Sequence, residues 1–422
     1  MSGLIGKVAA PATAPPGCLD AAYWTLSEQS WGYVLQEAFV EGLSCGGSVR
    51  EVARVADVDA QVDLASGADT ALFGYRLTVD DDGTVFHACA AEAVVTDQLL
   101  ESKCNFALSV QQARADDGAP CNVCPPTFIV PADLNPTLLL RDDYNDADDV
   151  NGVITHLRQI STTNPWVLKL DGSSCGLAVN IVTSPEQVAT LLQREQDSNT
   201  VSAAPLNWVC QRHIARPLLV RGNRKFHLRA FTLSMNGKTF LFEGALFARL
   251  CAEPWSDKDL QDPLKNLSNH TQAQKNLPGG AAAEVHVGLL ATSDELPLLQ
   301  SACPLLLERT RRLLRRTIRI GQVNDTTVGG SQGKPCTGND SWTRFCLLAF
   351  DIMVNEDGRL FILEVNRGPG GIERDTAGLS VKFRAGMRQM IRETIVLTAA
   401  ENMRESNKSD LAERFLSNKN IG

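Results

Sequence analysis

No apolar run in the chain approaches the roughly 20 residues that a bilayer-crossing helix needs, and the opening stretch MSGLIGKVAAPATAPPG has no unbroken hydrophobic core like that of a secretory leader. Both absences predict a cytoplasmic protein without a membrane partner. Positive charge is scarce as well: 40 Lys and Arg face 49 Asp and Glu, for a net charge of -9. That balance excludes a protein built mainly to coat nucleic acid, while leaving room for a local basic groove. Zinc-site spacing is also missing. The 12 cysteines are scattered, Cys210, Cys303 and Cys346 lie inside apolar runs where a thiol acts as a small hydrophobe, and the one CxxC, Cys121-Asn122-Val123-Cys124, has no second pair or histidine at zinc spacing. What is present is ordinary globular material. With 44% hydrophobic residues over 422 positions, the chain can bury a large core divided among two or three domains.

The punctuation of the chain gives its organisation. Residues 1–20, rich in Ala, Pro and Gly, are expected to be mobile. Residues 21–96 read as a small N-terminal α/β domain, with a helix over 31–43 and a strand pair, 70–79 and 84–88, around an Asp/Gly turn. No chemistry is visible there. A helix over 97–114, capped by Thr96, is followed by a Pro-bounded strand at 126–131, an acidic loop at 141–149 and strands at 166–170 and 177–182. Ser184-Pro-Glu-Gln then opens a helix, with Ser as cap and Pro at the first position. Strands over 208–214, 224–233 and 238–249 precede an amphipathic helix over 296–321, a Gly/Ser/Thr-rich loop over 323–341, a β-hairpin, and a terminal helix over 381–402 with a polar tail from 405.

Three basic features fall on this frame. Lys169 sits near the end of a strand beside Asp171-Gly-Ser-Ser-Cys-Gly176, where an ammonium next to close-packed backbone N–H groups can cradle phosphate. An edge-strand lysine beside a turn is the plainer alternative. Lys225, His227 and Arg229 share one face of the 224–233 strand at period two, which suits a polyphosphate track or the wet face of an antiparallel sheet. Arg309, Arg311, Arg312, Arg315, Arg316 and Arg319 crowd one helix, either as a solvated face or as a surface for an acidic partner.

The hairpin Phe345-Cys-Leu-Leu-Ala-Phe-Asp-Ile-Met-Val354, Asn355-Glu-Asp-Gly358, Arg359-Leu-Phe-Ile-Leu-Glu-Val-Asn366 carries acids among apolar residues. Period two puts Ile362, Glu364 and Asn366 on one face, and pairing Val354 with Arg359 sets Asp351 across from Ile362, diagonal to Glu364. Two carboxylates on one apolar patch repel unless a cation joins them. An all-oxygen set of this kind suits Mg²⁺, which keeps waters and shares itself with phosphates. Strand-end acids in water, or acids bonded to arginine, fit the same letters.

In this order the pieces resemble the tubulin tyrosine ligase family of ATP-grasp enzymes over about residues 97–400: the strand lysine, the small-residue loop, Gln211-Arg-His-Ile214, Arg224-Lys-Phe-His-Leu-Arg229, Leu267-Ser-Asn-His270, Phe350-Asp-Ile-Met-Val354 and Leu363-Glu-Val-Asn366. The resemblance implies an α+β ATP-grasp fold in which two mixed lobes, 97–212 and 213–404, clasp ATP, with 405–422 as a tail. It implies that Lys169 and Lys225 hold the phosphates, that Gln211, Arg212, His213 and Ile214 form the adenine hinge, and that His227 belongs to the nucleotide site. Arg229 and Arg249 would face the γ-phosphate and the acyl-phosphate made from it, with Ser268 and Asn269 beside the nucleotide and the amino acid. Asp351, Glu364 and Asn366 would hold Mg²⁺. The implied function is ATP-dependent joining of an amino acid to a protein carboxylate, on an acidic tail such as that of tubulin, by a monomer in the cytoplasm or on microtubules. This sequence departs from the family pattern at three places. His227 stands where an Asp is usual, Ser173-Ser-Cys-Gly-Leu177 stands where a Gly-Lys-Gly run is usual, and Arg367-Gly-Pro-Gly-Gly371 is richer in glycine. A ligase for another acceptor, and a nucleotide-binding module without ligase activity, are the alternative readings.

Overall fold

The computed structural model describes the backbone at 19–25, 73–81 and 84–92, most of residues 100–268, the segments 288–289, 303–325 and 342–367, and single helical positions between 386 and 413. The helix expected over 31–43, loop residues 174–177, Asn269 and most of the loop expected over 323–341 lie outside the described residues.

Strands β1 (Leu19–Thr25), β2 (Phe73–Asp81) and β3 (Thr84–Glu92) form an antiparallel ribbon. Helix α1 (Lys103–Gln112) begins later than the Thr96 cap would set it, because Ser102 is the residue whose side chain accepts from the Asn105 N–H. Four strands, β4 (Thr127–Val130), β5 (Trp166–Leu170), β6 (Val179–Val182) and β7 (Trp208–Arg212), make an antiparallel sheet in the order β4-β7-β5-β6. Helices α2 (Val153–Arg158) and α3 (Pro185–Ser198) cover it: Leu157, Val188 and Leu192 pack with Leu168, Trp208 and Cys210. The Ser184 cap is present, with its Oγ accepting from Gln187 N, while the Gln187 side chain turns back to the Thr183 N–H.

The chain then enters a second, larger sheet through β8 (Leu219–Val220), β9 (Arg224–Met235), β10 (Lys238–Leu241) and β11 (Phe247–Leu250). A short 3₁₀ turn at Glu243–Ala245 splits the single strand expected over 238–249. After α4 (Pro263–Asn266) and β12 (Gly288–Leu289) comes α5 (Leu306–Asp325), then β13 (Trp342–Val354) and β14 (Leu360–Arg367). The helix expected over 296–321 is helical at 299 and 301 but is interrupted before α5, since Pro304 precedes Leu305, whose left-handed φ of 62° breaks regular helix there. Strand β3 pairs in parallel with β13, so the N-terminal ribbon continues the large sheet, in the order β1-β2-β3-β13-β9-β11-β12, with β8, β10 and β14 attached at its sides. Helical positions continue to 413, beyond the expected end at 402, and Arg404 pairs with Glu413. The chain is α+β.

Alternation on β9 decides which side of the large sheet is which. Phe226, Leu228 and Ala230 enter a core with Leu348, Phe350, Ile352 and Val354 of β13, closed by Leu314 and Ile318 of α5 and Phe106 of α1. Lys225, His227 and Arg229 are sent the other way, and all three are buried. The hairpin corrects the simple pairing of its sequence. Val354 faces Leu360, not Arg359, because Asn355 takes a backbone bond to Arg359 and Gly358 adopts φ 74° in a longer turn. A bulge between Asp351 and Ile352 then restores phase: Ile352 pairs with Ile362 but Asp351 pairs with Glu364, leaving Leu363 extra. Ile362 therefore joins the core and does not share a face with Glu364 and Asn366.

Candidate active site

Between the two sheets lies a cleft, and the bulge aims its acids there. Lys169 and Val167 of β5, two residues apart, line one wall with Val179 and Ile181 of β6. Lys225 and His227 of β9, Asp351 and Met353 of β13, and Leu363 and Glu364 of β14 line the other. Gln211, Arg212, His213 and Ile214, where the chain leaves the small sheet, form the back, and Asn266, Leu267 and Ser268 the front.

Each charged group here has a nameable environment. Lys169 is 6% exposed; its ammonium donates to Gln211 Oε1 at 2.8 Å and to the carbonyl of the extra residue, Leu363, at 3.0 Å. Burial pushes its pKa down to about 8 against the pull of Glu364. Arg229 grips Asp351 with two bonds, Nε to Oδ1 at 2.5 Å and Nη2 to Oδ2 at 2.8 Å, between β9 and β13 positions paired in register. Burial alone would raise the Asp351 carboxyl, but Arg229 and His227 outweigh it and hold the group well below the usual carboxylate range. His227 bridges two elements, with Nδ1 2.6 Å from Ser268 Oγ and Nε2 3.3 Å from Asp351 Oδ1. Asn366 donates to Glu364 Oε1 at 3.3 Å.

Two groups stand without counterparts. Burial, with Lys225 nearby, pushes His213 down to about 3, and among the described residues neither of its ring nitrogens has a hydrogen-bond partner. Burial also lowers Lys225, and among the described residues no carboxylate pairs with it. Buried cations and orphaned nitrogens facing an open cleft are costly for a protein alone and favourable for one that receives an anionic, hydrogen-bonding ligand. The carboxylates of Glu364 and Asp351, with the Asn366 amide near the first, are an oxygen-rich donor set of the kind Mg²⁺ takes, so the residues present fit both nucleotide phosphate and its metal.

Most of the residues singled out in the sequence meet at this cleft: Lys169, Gln211, Arg212, His213, Ile214, Lys225, His227, Ser268, Asp351 and Glu364 all line it. Arg229 stands behind Asp351, and Asn366 lies two positions beyond Glu364. Arg249 is paired in register with His227 on β11, one strand over, and is not among the lining residues. The Arg212 guanidinium lies 5.6 Å over the Trp166 ring. The apolar walls Val167, Val179, Ile181 and Met353 were not singled out from the sequence. For Val167 and Met353 the period-two spacing from Lys169 and Asp351 was the available signal, while Val179 and Ile181 are cross-strand partners of Lys169 and Val167.

Buried cations and acids gathered between two sheets mark this α+β chain's candidate site, and comparison with known proteins gives its lineage. The chain belongs to the tubulin-tyrosine ligase family, whose model matches residues 96–377, from just before α1 to just past β14. It is 25% identical over 222 residues to the human protein named "Tubulin monoglycylase TTLL3", covering 52% of this chain and 27% of that one. It is likewise 25% identical over 242 residues to the Caenorhabditis elegans protein named "Tubulin polyglutamylase ttll-11", covering 52% of this chain and 31% of that one. The chain spans less than a third of the length of either relative.

Proposed function

We propose that the chain is an ATP- and Mg²⁺-dependent ligase that joins an amino acid to a protein carboxylate, with the two sheets acting as ATP-grasp lobes, 97–212 and 213–404, around the nucleotide. The observation that carries this reading is the convergence on one cleft, with Glu364, of buried Lys169, of Lys225, which has no carboxylate partner among the described residues, and of the Arg229–Asp351–His227 network. A carboxylate does not react with an amine in water because oxide is a poor leaving group. Transfer of the γ-phosphoryl group of ATP to the carboxylate supplies a good one, and the amine then displaces phosphate. Lys169 and Lys225 would bind the phosphates, Arg229 would hold Asp351 in place from behind, and the apolar walls with His213 would hold the base and exclude water. Asp351, Glu364 and Asn366 would hold Mg²⁺, which would supply charge neutralisation to the phosphates.

The names of the relatives support tubulin as acceptor, and the surface of α5 supports an acidic segment of it; a place on microtubules in the cytoplasm is part of the same proposal. Arg309 and Arg311 of that helix are engaged, with the Gly358 carbonyl and with Glu243, while Arg312, which also pairs with Glu308 at 3.4 Å, and Arg315, Arg316 and Arg319 form an exposed stripe on an acidic protein. Release of ADP and incorporation of labelled amino acid into tubulin, followed by mass spectrometry, test the reading. Glu364→Gln should abolish both while leaving the melting profile intact; turnover at the wild-type rate in that variant would remove the metal role. A second reading is favoured by Asp351, whose charge Arg229 already neutralises: a nucleotide-binding module without ligase activity. ATP binding with no ADP release in the presence of acceptor and all amino acids would select it.

A further inference from the structure

Three adjacent strands of the small sheet carry polar side chains in a row. Thr127 of β4 is paired in register with Gln211 of β7, and Lys169 of β5 lies diagonal to Gln211, since Val167 is the β5 residue opposite it. Period two puts all three side chains on one face, and all three border a small hollow with Glu364. They are bonded in sequence. The Lys169 ammonium donates to Gln211 Oε1 at 2.8 Å, and Gln211 Nε2 donates to Thr127 Oγ1 at 3.2 Å. The Thr127 hydroxyl gives its own proton to the Pro125 carbonyl at 2.7 Å. Thr127 is anchored in turn by α1, because Gln111 Nε2 donates to its backbone carbonyl at 2.8 Å.

Direction matters in this chain. A carboxamide turned half way round its last bond exchanges an acceptor for a donor with almost no change of shape. An ammonium only donates, so Lys169 needs the oxygen end of Gln211. A threonine hydroxyl has one proton, and Pro125 takes it, so toward Gln211 the Thr127 oxygen only accepts and needs the nitrogen end. Both neighbours therefore demand the same orientation. Turned over, the amide would set N–H groups against a buried ammonium that has the Leu363 carbonyl as its other acceptor. We infer that Thr127 is a positioning residue: although it does not line the cleft, it fixes the Gln211 amide and, through it, the direction in which Lys169 points its ammonium. The inference rests on the ATP reading of the cleft.

Calorimetric titration of the full chain with ATP in the presence of Mg²⁺ tests it. Thr127→Val keeps the β-branched shape that suits a strand and removes the hydroxyl, Thr127→Ala removes both, and Thr127→Ser restores the hydroxyl. Loss of one buried, orienting hydrogen bond corresponds to a rise of about five-fold in the ATP Kd for the Val and Ala variants, with the Ser variant close to wild type. In a Lys169→Met background no ammonium needs the amide oxygen, so Thr127→Val should add nothing to the Kd there. Unchanged affinity in the Val and Ala variants, beside a wild type that binds, overturns the role of Thr127 and leaves the ATP reading standing. A loss that Ser does not rescue, or that persists in full in the Lys169→Met background, makes Thr127 a structural prop and overturns it too. A wild-type chain that does not bind ATP overturns the ATP reading and this inference with it.

Discussion

At the scale of single residues the cleft is held by charges that have given up water. Asp351 and Arg229 are 5% exposed each, so Asp351→Asn would leave the guanidinium buried and uncompensated. We expect that change to destabilise the chain by about 3–5 kcal/mol, read from denaturant midpoints. Because the folded Asp351 pKa is depressed, its stabilisation is present above the unfolded carboxylate pKa and is lost as pH falls through the folded one; the Asn variant should lack that component of acid sensitivity. Lys169 has the opposite sign. Its folded pKa of about 8 lies below the unfolded value, so between the two the unfolded chain binds more protons and stability rises with pH. Wild type compared with Lys169→Met from about pH 8 to 10 should show that rise in the first and not in the second. Sequence marked Asp351 and Arg229 as important but assigned them to different tasks. Their bond joins residues 122 apart in the chain, and only strand pairing reveals it.

Among elements, the hairpin of β13 and β14 shows what local pattern can and cannot give. Its two strands, its turn and its acids were legible, because apolar alternation and an Asn/Asp/Gly cluster are strong short-range signals. The bulge was not, since an extra residue leaves no mark in composition; it is the bulge that separates Ile362 from Glu364 and points the Leu363 carbonyl at Lys169. Gly358 sits at positive φ, and an added Cβ would lie 3.0 Å from Arg309 Nη1 and 3.3 Å from Cys303 Sγ. Gly358→Ala should therefore cost about 1 kcal/mol or more in thermal or denaturant unfolding. Helix α5 belongs to the same core, and its stripe of Arg312, Arg315, Arg316 and Arg319 follows helical spacing. Replacing the four with Gln should weaken binding of an acidic tail peptide and flatten its salt dependence; binding insensitive to salt in the wild type would dissociate the stripe from the acceptor.

For the molecule as a whole, the expected consequence is coupling between two sheets through what binds between them. ATP with Mg²⁺ at about a hundred times Kd should stabilise the chain by about 2.7 kcal/mol, visible as a raised melting temperature, and a chelator or Glu364→Gln should remove the metal-dependent part. Sequence alone determined most of the local elements and the identity of nearly every charged residue in the cleft, because periodicity and turn chemistry act within a few residues. It ran one helix through the break at Leu305, split no strand at Glu243–Ala245 and set the N-terminal ribbon apart from a sheet that it extends. Tertiary structure decided which of those charges meet: Arg229 with Asp351, His227 with Ser268, Lys103 with the loop after Lys169. Such pairings depend on strand register and on burial across long chain separations, and a linear pattern carries no record of either.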